Sequence, residues 1–559
     1  YTLTDTDAAA FAADAGSDYR VQPNGNTLEL AVKIHKHYLC GGSTCNGAGG
    51  HTCEETIFTK WSDAANLPDS AGNWYLTTDV VISAAWEPQD GTVLDLNGHS
   101  IAVNGTATQG TNAITVKKGV HFTLTDCNGD EGVHRFTKYV QTTSTGLNGL
   151  FIPDDAGDIE ITGGVITRFG DSEHRLGRGV YVYGASSVFT MYGGTICGNY
   201  FTNGGAGMTI YSGTVNMYGG EIRGNCVSVS AGAGVRIEEF GNFNMAGSAV
   251  IRENVSISTT DYGSRYGGGG GVYVYGKFTM SEHARIEDNR ADKGDGGGVL
   301  VNSKGTFKMI GGDNYTLVLD NNYARDNGGG VYMDGTFEIS GGVQSWVNSN
   351  GGTSNIYLTA GKTITITGNL LNFRNLGLTL ETMPTAGNPV AFAKAGKNVT
   401  LSDRDTDAFY ADEHYSDDAY SVQRDGNTLY LYFGTPHKHP VCGKSCADTA
   451  HDSVLWNGIA SLSEIAGDGS YYLTNVVTLD EKWVCSYDVN LCLNGYSITA
   501  DGDFDAIEVG AGKSFTLSDC NGTNGQYAFR WLYALAPKWN PTKLDDGTNT
   551  KFIIDGGVI

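Results

Sequence analysis

The sequence predicts an all-β protein: a right-handed parallel β-helix, or solenoid, with small His/Cys-containing linker segments and a hairpin cap, tandemly repeated. Three observations lead to this prediction. A Gly-rich pattern recurs between Gly163 and Gly342, apolar residues alternate within each recurrence, and a much longer repeat spans most of the chain. Such recurrence is typical of solenoids, in which each repeat buries its apolar side against its neighbours.

The short repeat consists of a Gly-rich opening, an apolar run, an aromatic-x-Met step, a Gly-Gly pair and Ile-x-x-Asn. Residues 179–199 (GVYVYGASSVFTMYGGTICGN) show it in full, and 205–225 (GAGMTIYSGTVNMYGGEIRGN) show it with valine at the aromatic position. Its Met/Ile positions lie 26 to 35 residues apart, at Met191, Met217, Met245, Met280, Met309 and Ile339. A round of this length accommodates three strands of about five residues with their turns.

The alternation of apolar residues, as in Val180/Val182 and Phe189/Met191, has the period of a strand, and no helical period interrupts it. Rounds stacked about 4.8 Å apart would pair each strand with its equivalent in parallel. We predict a right-handed stack because crossovers between parallel strands nearly always have that hand. The Phe/Met positions are predicted to fill the core.

The Ile-x-x-Asn elements predict a column of asparagines at one corner of the stack. Asparagine tolerates left-handed backbone, and stacked amides can form hydrogen bonds from one round to the next. We interpret this column as structural rather than as a ligand site. It comprises Asn199, Asn225, Asn254, Asn289 and Asn322.

Composition and charge narrow the class of protein. The 80 glycines among 559 residues do not fall at every third position, which excludes collagen. With 30 Tyr and 21 Phe the chain can form a core, and its formal charge of −25 disfavours nucleic acid as a partner. No apolar run approaches the roughly 18 residues of a membrane span. The acidic surface suits an extracellular protein and makes calcium a candidate cation.

The long repeat places HKHYLCG (35–41) against HKHPVCG (437–443), LDLNGHSI (94–101) against LCLNGYSI (491–498), and FTLTDCNG (122–129) against FTLSDCNG (515–522). The offsets of 393 to 402 residues predict a unit of about that length in a longer tandem array. The predicted parts are the tail and cap of a preceding unit (1–34), a His/Cys junction segment without strand periodicity (35–73), a parallel β-helix (74–403), a cap hairpin (404–436), a second His/Cys junction segment (437–469) and the start of the next β-helix (470–559).

The junction segments carry the sharpest candidate site. Imidazole and thiolate groups at these spacings are ligands of tetrahedral zinc, and four must be chosen from five in each copy. The alternative is a disulfide within each segment, Cys40–Cys45 and Cys442–Cys446. The zinc would be structural, because no general acid or base recurs beside it. The candidate ligands are His35, His37, Cys40, Cys45 and His51 in the first copy, and His437, His439, Cys442, Cys446 and His451 in the second.

Other cysteines recur at the same position of both copies. Cys127 and Cys520 are therefore predicted to be buried core thiols. Cys492 precedes Cys520 by 28 residues, about one round, so a bridge between neighbouring rounds is an open alternative for that pair.

A polysaccharide-cleaving or glycan-binding β-helix is the rival function. Such enzymes need paired carboxylates, and stacked rounds bring equivalent acids close together. Glu253 and Asp288, each just before a column Asn, form one candidate pair, and Glu238/Glu239 and Asp171/Glu173 are others. The loops that could carry this function are 132–157, 171–178 and 255–268. We expect acids at corners to face solvent, and we predict no catalytic residue and no enzyme activity.

The junction and early-round motifs quoted above resemble those of large secreted surface proteins of anaerobic gut bacteria. The Gly-rich rounds also resemble the Gly-Gly-x-Ile and Phe-x-x-Asn repeats of polymorphic outer-membrane adhesins. This resemblance implies an exported cell-surface protein with adhesive or scaffolding duties, and it assigns no catalytic residue. The expected function is a long extracellular fibre or adhesin stalk, whose expected partners are neighbouring units or copies of itself and a glycan or host-surface ligand.

Overall fold

A computed structural model describes residues 3–9, 11, 19–40, 55–130, 132–139, 149–170, 176–202, 204–257, 267–312, 316–346, 348–350, 352–353, 355–371, 376–385, 388–412, 420–433, 437–441, 453–520, 526–529 and 552–555. These residues form strands, one α-helix (Asp5–Ala9) and the 3-10 helices Asp403–Ala408 and Leu462–Glu464. None of the helices in these ranges has the length and apolar character needed to cross a membrane. The chain forms two compact units: 1–381 with 395–399 and 407–414, and 382–394 with 400–406 and 415–559.

Three columns of parallel strands make up most of the first unit, and the chain visits them in turn. The first column contains Glu55–Trp61, Asn73–Leu76, Thr92–Asp95, His121–Thr125, Val188–Met191, the ends of Met208–Met217 and Val235–Met245, Lys277–Ser281, Thr306–Ile310, the start of Thr336–Trp346, and Ile364–Leu370. The second contains Val80–Ile82, Ser100–Val103, Val165–Arg168, Thr195–Cys197, Glu221–Arg223, Val250–Arg252, Arg285–Glu287, Thr316–Asp320 and the end of Thr336–Trp346.

The third column contains Ile114–Val116, Val180–Val182, the starts of Met208–Met217 and Val235–Met245, Val272–Val274, Val299–Val301, Val331–Met333, Ile356–Leu358, Leu376–Leu380 and Phe409–Ala411. A short parallel column lies beside it, with Tyr200–Phe201, Cys226–Val227, Val255–Ser256, Arg290–Ala291, Tyr323–Ala324 and Ser349–Asn350, and Gly352–Thr353 pairs antiparallel at its end. The predicted all-β class and the parallel stacking of the strands are confirmed.

Antiparallel strands lie outside the columns. In the first unit they are the hairpin Tyr19–Asn24 with Thr27–Val32, the strand His35–Tyr38 against Glu55–Trp61, and Val133–Lys138 between Phe151–Pro153 and Ile159–Thr162. The junction segment, for which the sequence showed no strand periodicity, therefore does contain strands. The residues that alternate on this strand, His35 and His37, are polar. An apolar alternation therefore does not indicate the strand.

The second unit repeats these elements. Tyr420–Asp425 and Thr428–Phe433 form a hairpin within the segment 404–436 that was predicted to hold the cap hairpin, and Val390–Ala395 pairs antiparallel with Thr428–Phe433. Lys438–Pro440 pairs with Ser453–Leu455. Parallel strands follow: Asn457–Ile459, Gly469–Leu473, Val489–Cys492 and Phe515–Ser518 in one sheet, Val477–Leu479 with Ile498–Ala500, and Trp483–Cys485 with Ile507–Val509, while Gln526–Phe529 pairs antiparallel with Phe552–Asp555.

The predicted Phe/Met core column is confirmed. The rings of Phe243, Phe278, Phe307 and Phe337 stack in successive rounds, with centroids 5.1, 4.9 and 5.2 Å apart. Met245, Met280 and their equivalents are buried beside them. Strand pairing aligns Phe with Phe and Met with Met, because a period of two places both on the inner face.

The predicted asparagine column is also confirmed and is longer than expected. The backbone N–H and Nδ2 of each asparagine both donate to Oδ1 of the next one, as from Asn254 to Asn289 at 3.2 and 2.9 Å. Asn348 and Asn355 extend the column, and it ends on Asp412, whose carboxylate accepts from Asn355. We call this series, from Asn199 to Asp412, the asparagine ladder.

The left-handed backbone that we expected of the five predicted asparagines falls instead on the residue before each of those five. Those residues are Gly198, Gly224, Glu253, Asp288 and Asn321, with φ between 50° and 65°. The ladder amide must point inward to meet its neighbour, so the tight turn is made one residue earlier. Glu253 and Asp288, the candidate catalytic pair, thus occupy a strained turn position.

A buried carboxyl predicts how the first unit responds to pH. Asp295 is 3% exposed and accepts hydrogen bonds from the N–H and Nδ2 of Asn327, and burial raises its pKa to about 6. A carboxyl whose pKa is higher in the folded than in the unfolded protein stabilises the fold while it is protonated. This contribution to the free energy of unfolding is complete below the unfolded-state pKa near 4 and is lost as the pH rises through about 6. Asp295→Asn should therefore be more stable than the parent by about 3 kcal/mol at pH 8 and equal to it near pH 4.

Urea unfolding of both proteins from pH 4 to 8 measures this difference. The exposed Asp158→Asn serves as the matched control and should leave the pH profile unchanged. Parallel profiles for Asp295→Asn and the parent between pH 4 and 6 would contradict the prediction.

Candidate metal centres

Two groups of four side chains could each hold a metal ion. Centre one consists of His35, His37, Asp95 and Cys127, and centre two consists of His437, His439, Cys492 and Cys520. Within each centre the four ligand atoms all lie within 4.8 Å of one another. Each member of centre one has its counterpart in centre two at the equivalent position of the long repeat. The same site is therefore built twice, once in each unit.

Strand geometry positions the four side chains. His35 and His37 alternate on the strand His35–Tyr38, so both rings lie on the same face. Asp95 ends the strand Thr92–Asp95, and its parallel neighbour in the next round, His121–Thr125, ends two residues before Cys127. Centre one thus joins the junction strand to two successive rounds. In centre two, Cys492 ends Val489–Cys492, and Cys520 follows Phe515–Ser518 in the next round.

In centre one the carboxylate of Asp95 contacts both histidines and two backbone N–H groups. Its Oδ2 lies 2.7 Å from Nε2 of His35 and 3.0 Å from Nε2 of His37, and Sγ of Cys127 lies 3.5 Å from Nε2 of His35. Oδ1 of Asp95 accepts hydrogen bonds from the backbone N–H groups of Asn97 and Cys127 at 3.0 and 2.9 Å. Asp95 is fully buried, so its charge needs these partners.

The charges in centre one are coupled. Burial disfavours the ionised form of Asp95, but hydrogen bonds from His35 and His37 outweigh burial and hold the pKa of Asp95 well below its usual range. Burial likewise lowers the pKa of His37, but the hydrogen bond and charge of Asp95 prevail and raise it. Burial and the charge of Asp95 raise the pKa of the Cys127 thiol. Centre one is therefore a pocket of negative potential that stabilises positive charge.

In centre two a thiol replaces the carboxylate. Sγ of Cys492 lies 3.2 Å from Sγ of Cys520, which lies 3.0 Å from Nε2 of His437, and the two histidine Nε2 atoms are 3.1 Å apart. The hydrogen bond from Cys520 lowers the pKa of Cys492 to about 4 and raises that of Cys520. The pair therefore loses its first proton readily and retains its second.

The surroundings of the two centres also match. The Nδ1–H of His37 donates to the carbonyl of Tyr38, and that of His439 donates to the carbonyl of Pro440, both at 2.7 Å. A hydrogen bond of this kind fixes the ring and directs Nε2 into the centre, as in protein metal sites. Aromatic rings stack on the imidazoles at centroid distances of 4.0 to 4.3 Å, Tyr75 and Phe58 in centre one, Tyr472 and Trp456 in centre two.

The donor sets fit a tetrahedral metal. Zinc bond lengths of about 2.0–2.3 Å place neighbouring ligand atoms about 3.3–3.8 Å apart. The hydrogen-bonded ligand atoms of the two centres lie 2.7 to 3.5 Å apart, and all four atoms of each centre lie within 4.8 Å of one another. Centre two offers two nitrogens and two sulfurs, and centre one offers two nitrogens, one oxygen and one sulfur. These sets are those of metals softer than calcium.

The structure brings together only part of the predicted ligand sets. His35, His37, His437 and His439 belong to the centres, whereas Cys40 lies outside centre one. Cys45, His51, Cys442, Cys446 and His451 lie outside the described residues, so the alternative disulfide Cys442–Cys446 falls wholly outside them and Cys40–Cys45 in part. The sequence did not predict Asp95, Cys127, Cys492 and Cys520 as candidate ligands.

Two signals in the sequence could have revealed these ligands. His-x-His is a strand pattern that puts both rings on one face. Asp95 is also replaced by Cys492 at the matching position, one metal-binding donor for another. The prediction that Cys127 and Cys520 are core thiols is wrong, because both are partly exposed and contact the histidines.

The acids proposed for catalysis have other partners. Glu253 forms an ion pair with Arg223, and Asp288 accepts a hydrogen bond from Nδ2 of Asn321. Glu238 pairs with Arg236 and Glu239 with Lys304. Asp171 and Glu173 lie outside the described residues.

Comparison of the chain with protein-family models, with curated proteins and with solved structures found no match. The function is therefore inferred from the two centres and the parallel columns.

Proposed function

We propose that this chain is a non-enzymatic structural repeat of a long extracellular fibre or adhesin stalk: a right-handed parallel β-helix whose junction segments are pinned by structural zinc. The observation that carries the proposal is the recurrence of the same four-donor centre at the equivalent place in two copies of the long repeat. Because one such centre accompanies each junction segment, a structural role in stabilising each copy of the repeat fits it best.

The solenoid is supported by the order of the columns. The chain passes through the first, second and third columns in turn, and each strand pairs in parallel with its equivalent one round away. Such a stack has neighbour-only contacts and can be extended indefinitely by tandem copies. The asparagine ladder and the stacked phenylalanines run along this direction, which supports stiffness rather than a localised active site.

Zinc is the metal that the donor chemistry favours. The junction strand has few apolar residues of its own, so a bound cation would supply the stability that a hydrophobic core supplies elsewhere. In that role the histidines hold the ion through Nε2 and the residues from two successive rounds complete its coordination. Calcium, which takes six to eight oxygens, is not favoured by sets that hold one oxygen-bearing side chain at most.

Electron microscopy of the purified chain, with elemental analysis of the same sample, tests the proposal. We expect an elongated particle and about two zinc ions per chain. In the intact array the length should rise by a constant step for each unit. A compact particle, or turnover of a polysaccharide that Glu253→Gln abolishes, would overturn the structural function, and a chain purified without zinc and unable to take it up would overturn the metal.

A further inference from the structure

Centre two contains the pair of thiols that centre one lacks. The Sγ atoms of Cys492 and Cys520 lie 3.2 Å apart, and both cysteines are free. In centre one, Asp95 occupies the position of Cys492 and leaves Cys127 as the one thiol of that centre. The two centres are otherwise alike in their histidines, their aromatic walls and their strand connections.

We propose that Cys492 and Cys520 form a reversible disulfide when centre two meets a low-molecular-weight disulfide, and that this modification releases the metal from centre two while centre one keeps its own. The metal part of this inference rests on the proposed zinc, whereas disulfide formation rests on the thiol pair alone.

The positions of the two cysteines suit this exchange. They come from neighbouring rounds, with Cys492 opposite Ser518 and Cys520 two residues beyond. A disulfide has an S–S distance of about 2.05 Å, so the sulfurs need to approach by little more than 1 Å. Cys520 is partly exposed and Cys492 is buried. Cys520 is therefore the thiol that a small disulfide can reach first, and Cys492 is placed behind it as the resolving thiol.

The low-molecular-weight disulfide is the oxidant in this exchange. Sγ of Cys520 attacks one sulfur of the small disulfide while its proton passes to Nε2 of His437, 3.0 Å away, so that a mixed disulfide forms and one small thiolate is expelled. The thiolate of Cys492 then attacks Sγ of Cys520 and expels the second small thiolate. Two electrons pass from the protein sulfurs to the oxidant. The centre loses two anionic ligands and retains only two neutral imidazoles, which is too few to hold zinc tightly.

Centre one cannot form an internal disulfide. A carboxylate oxygen forms no bond to sulfur under these conditions, so Cys127 has no partner within the centre. Any mixed disulfide at Cys127 stays open to reversal by free thiol. The single difference between Asp95 and Cys492 therefore makes one junction sensitive to oxidation and the other resistant.

The test uses the full chain loaded with zinc and glutathione disulfide as the probe. Released zinc is followed with a colorimetric chelator, and peptide mass mapping reports the Cys492–Cys520 cross-link. We expect the parent to release about half of its zinc and to recover it after reduction. Cys492→Asp should release none, and Asp95→Cys, its matched reciprocal, should release all.

The outcomes separate this proposal from the proposed zinc function. If the chain holds no zinc before oxidation, the zinc proposal fails, and mapping of the cross-link still decides the disulfide. Formation of the Cys492–Cys520 peptide supports this inference, and its absence under glutathione disulfide overturns it. Equal release from both centres, or release by Cys492→Asp, would overturn the selectivity.

Discussion

Replacing His439 by alanine is expected to halve the zinc bound per chain and to destabilise the second unit by about 4 kcal/mol when free zinc exceeds its dissociation constant a thousandfold. His439 is 4% exposed, with Nε2 directed into centre two and Nδ1 bonded to the carbonyl of Pro440. Loss of one of four ligands leaves an incomplete coordination shell. Zinc content and thermal unfolding, each measured with and without a chelator, check this result.

The chelator comparison separates metal from packing. His439 also stacks on Trp456, so alanine removes some contact energy in any case. The parent should lose stability on adding chelator, whereas the second unit of the variant should not respond further. His121→Ala, an exposed histidine outside both centres, is the matched control and should keep full zinc content. A parent whose unfolding ignores the chelator would contradict a structural metal.

Asn289→Asp is expected to destabilise the first unit by about 4 kcal/mol. Asn289 is 1% exposed, and its Nδ2 group lies 2.9–3.0 Å from the carbonyls of Ile251 and Glu287 and 3.0 Å from Oδ1 of Asn322. An aspartate oxygen at that place faces three acceptors and carries a buried charge. Urea unfolding monitored by circular dichroism measures the loss.

A second asparagine pair between neighbouring rounds offers the matched control. Nδ2 of Asn244 donates to Oδ1 of Asn216 at 2.9 Å, but both side chains are only half-buried. Asn244→Asp should cost about 1 kcal/mol, because water can solvate the new carboxylate. Similar losses for the two variants would show that burial in the ladder is not what makes its amides necessary.

The ladder also has a direction that the sequence motif does not show. Every amide donates towards the next round, so the last member needs an acceptor, and Asp412 fills that place with both carboxylate oxygens. Asp412 lies 57 residues beyond Asn355 and outside any Ile-x-x-Asn element. Its role follows from where the third column ends in space, not from the repeat.

The strand-level features were predictable for a common reason. Alternation along a strand and recurrence once per round are both fixed by local geometry, so Phe278 and Met280 could be assigned to the core and Asn289 to a column. The turn residues were misassigned by one position, because the inward direction of each amide depends on the hydrogen bond to its neighbour. A period shows which residues are equivalent, but it does not show which of them turns.

The sequence by itself determined the all-β class, the parallel stacking, the core column and the four histidines that enter the two centres. Only the tertiary structure decided which groups complete those centres, since Asp95 and Cys127 lie 60 and 92 residues beyond His35. Ligands that are distant in the chain meet only when the junction strand packs against two particular rounds. That packing depends on long-range contacts of the whole unit, for which local spacing carries no signal.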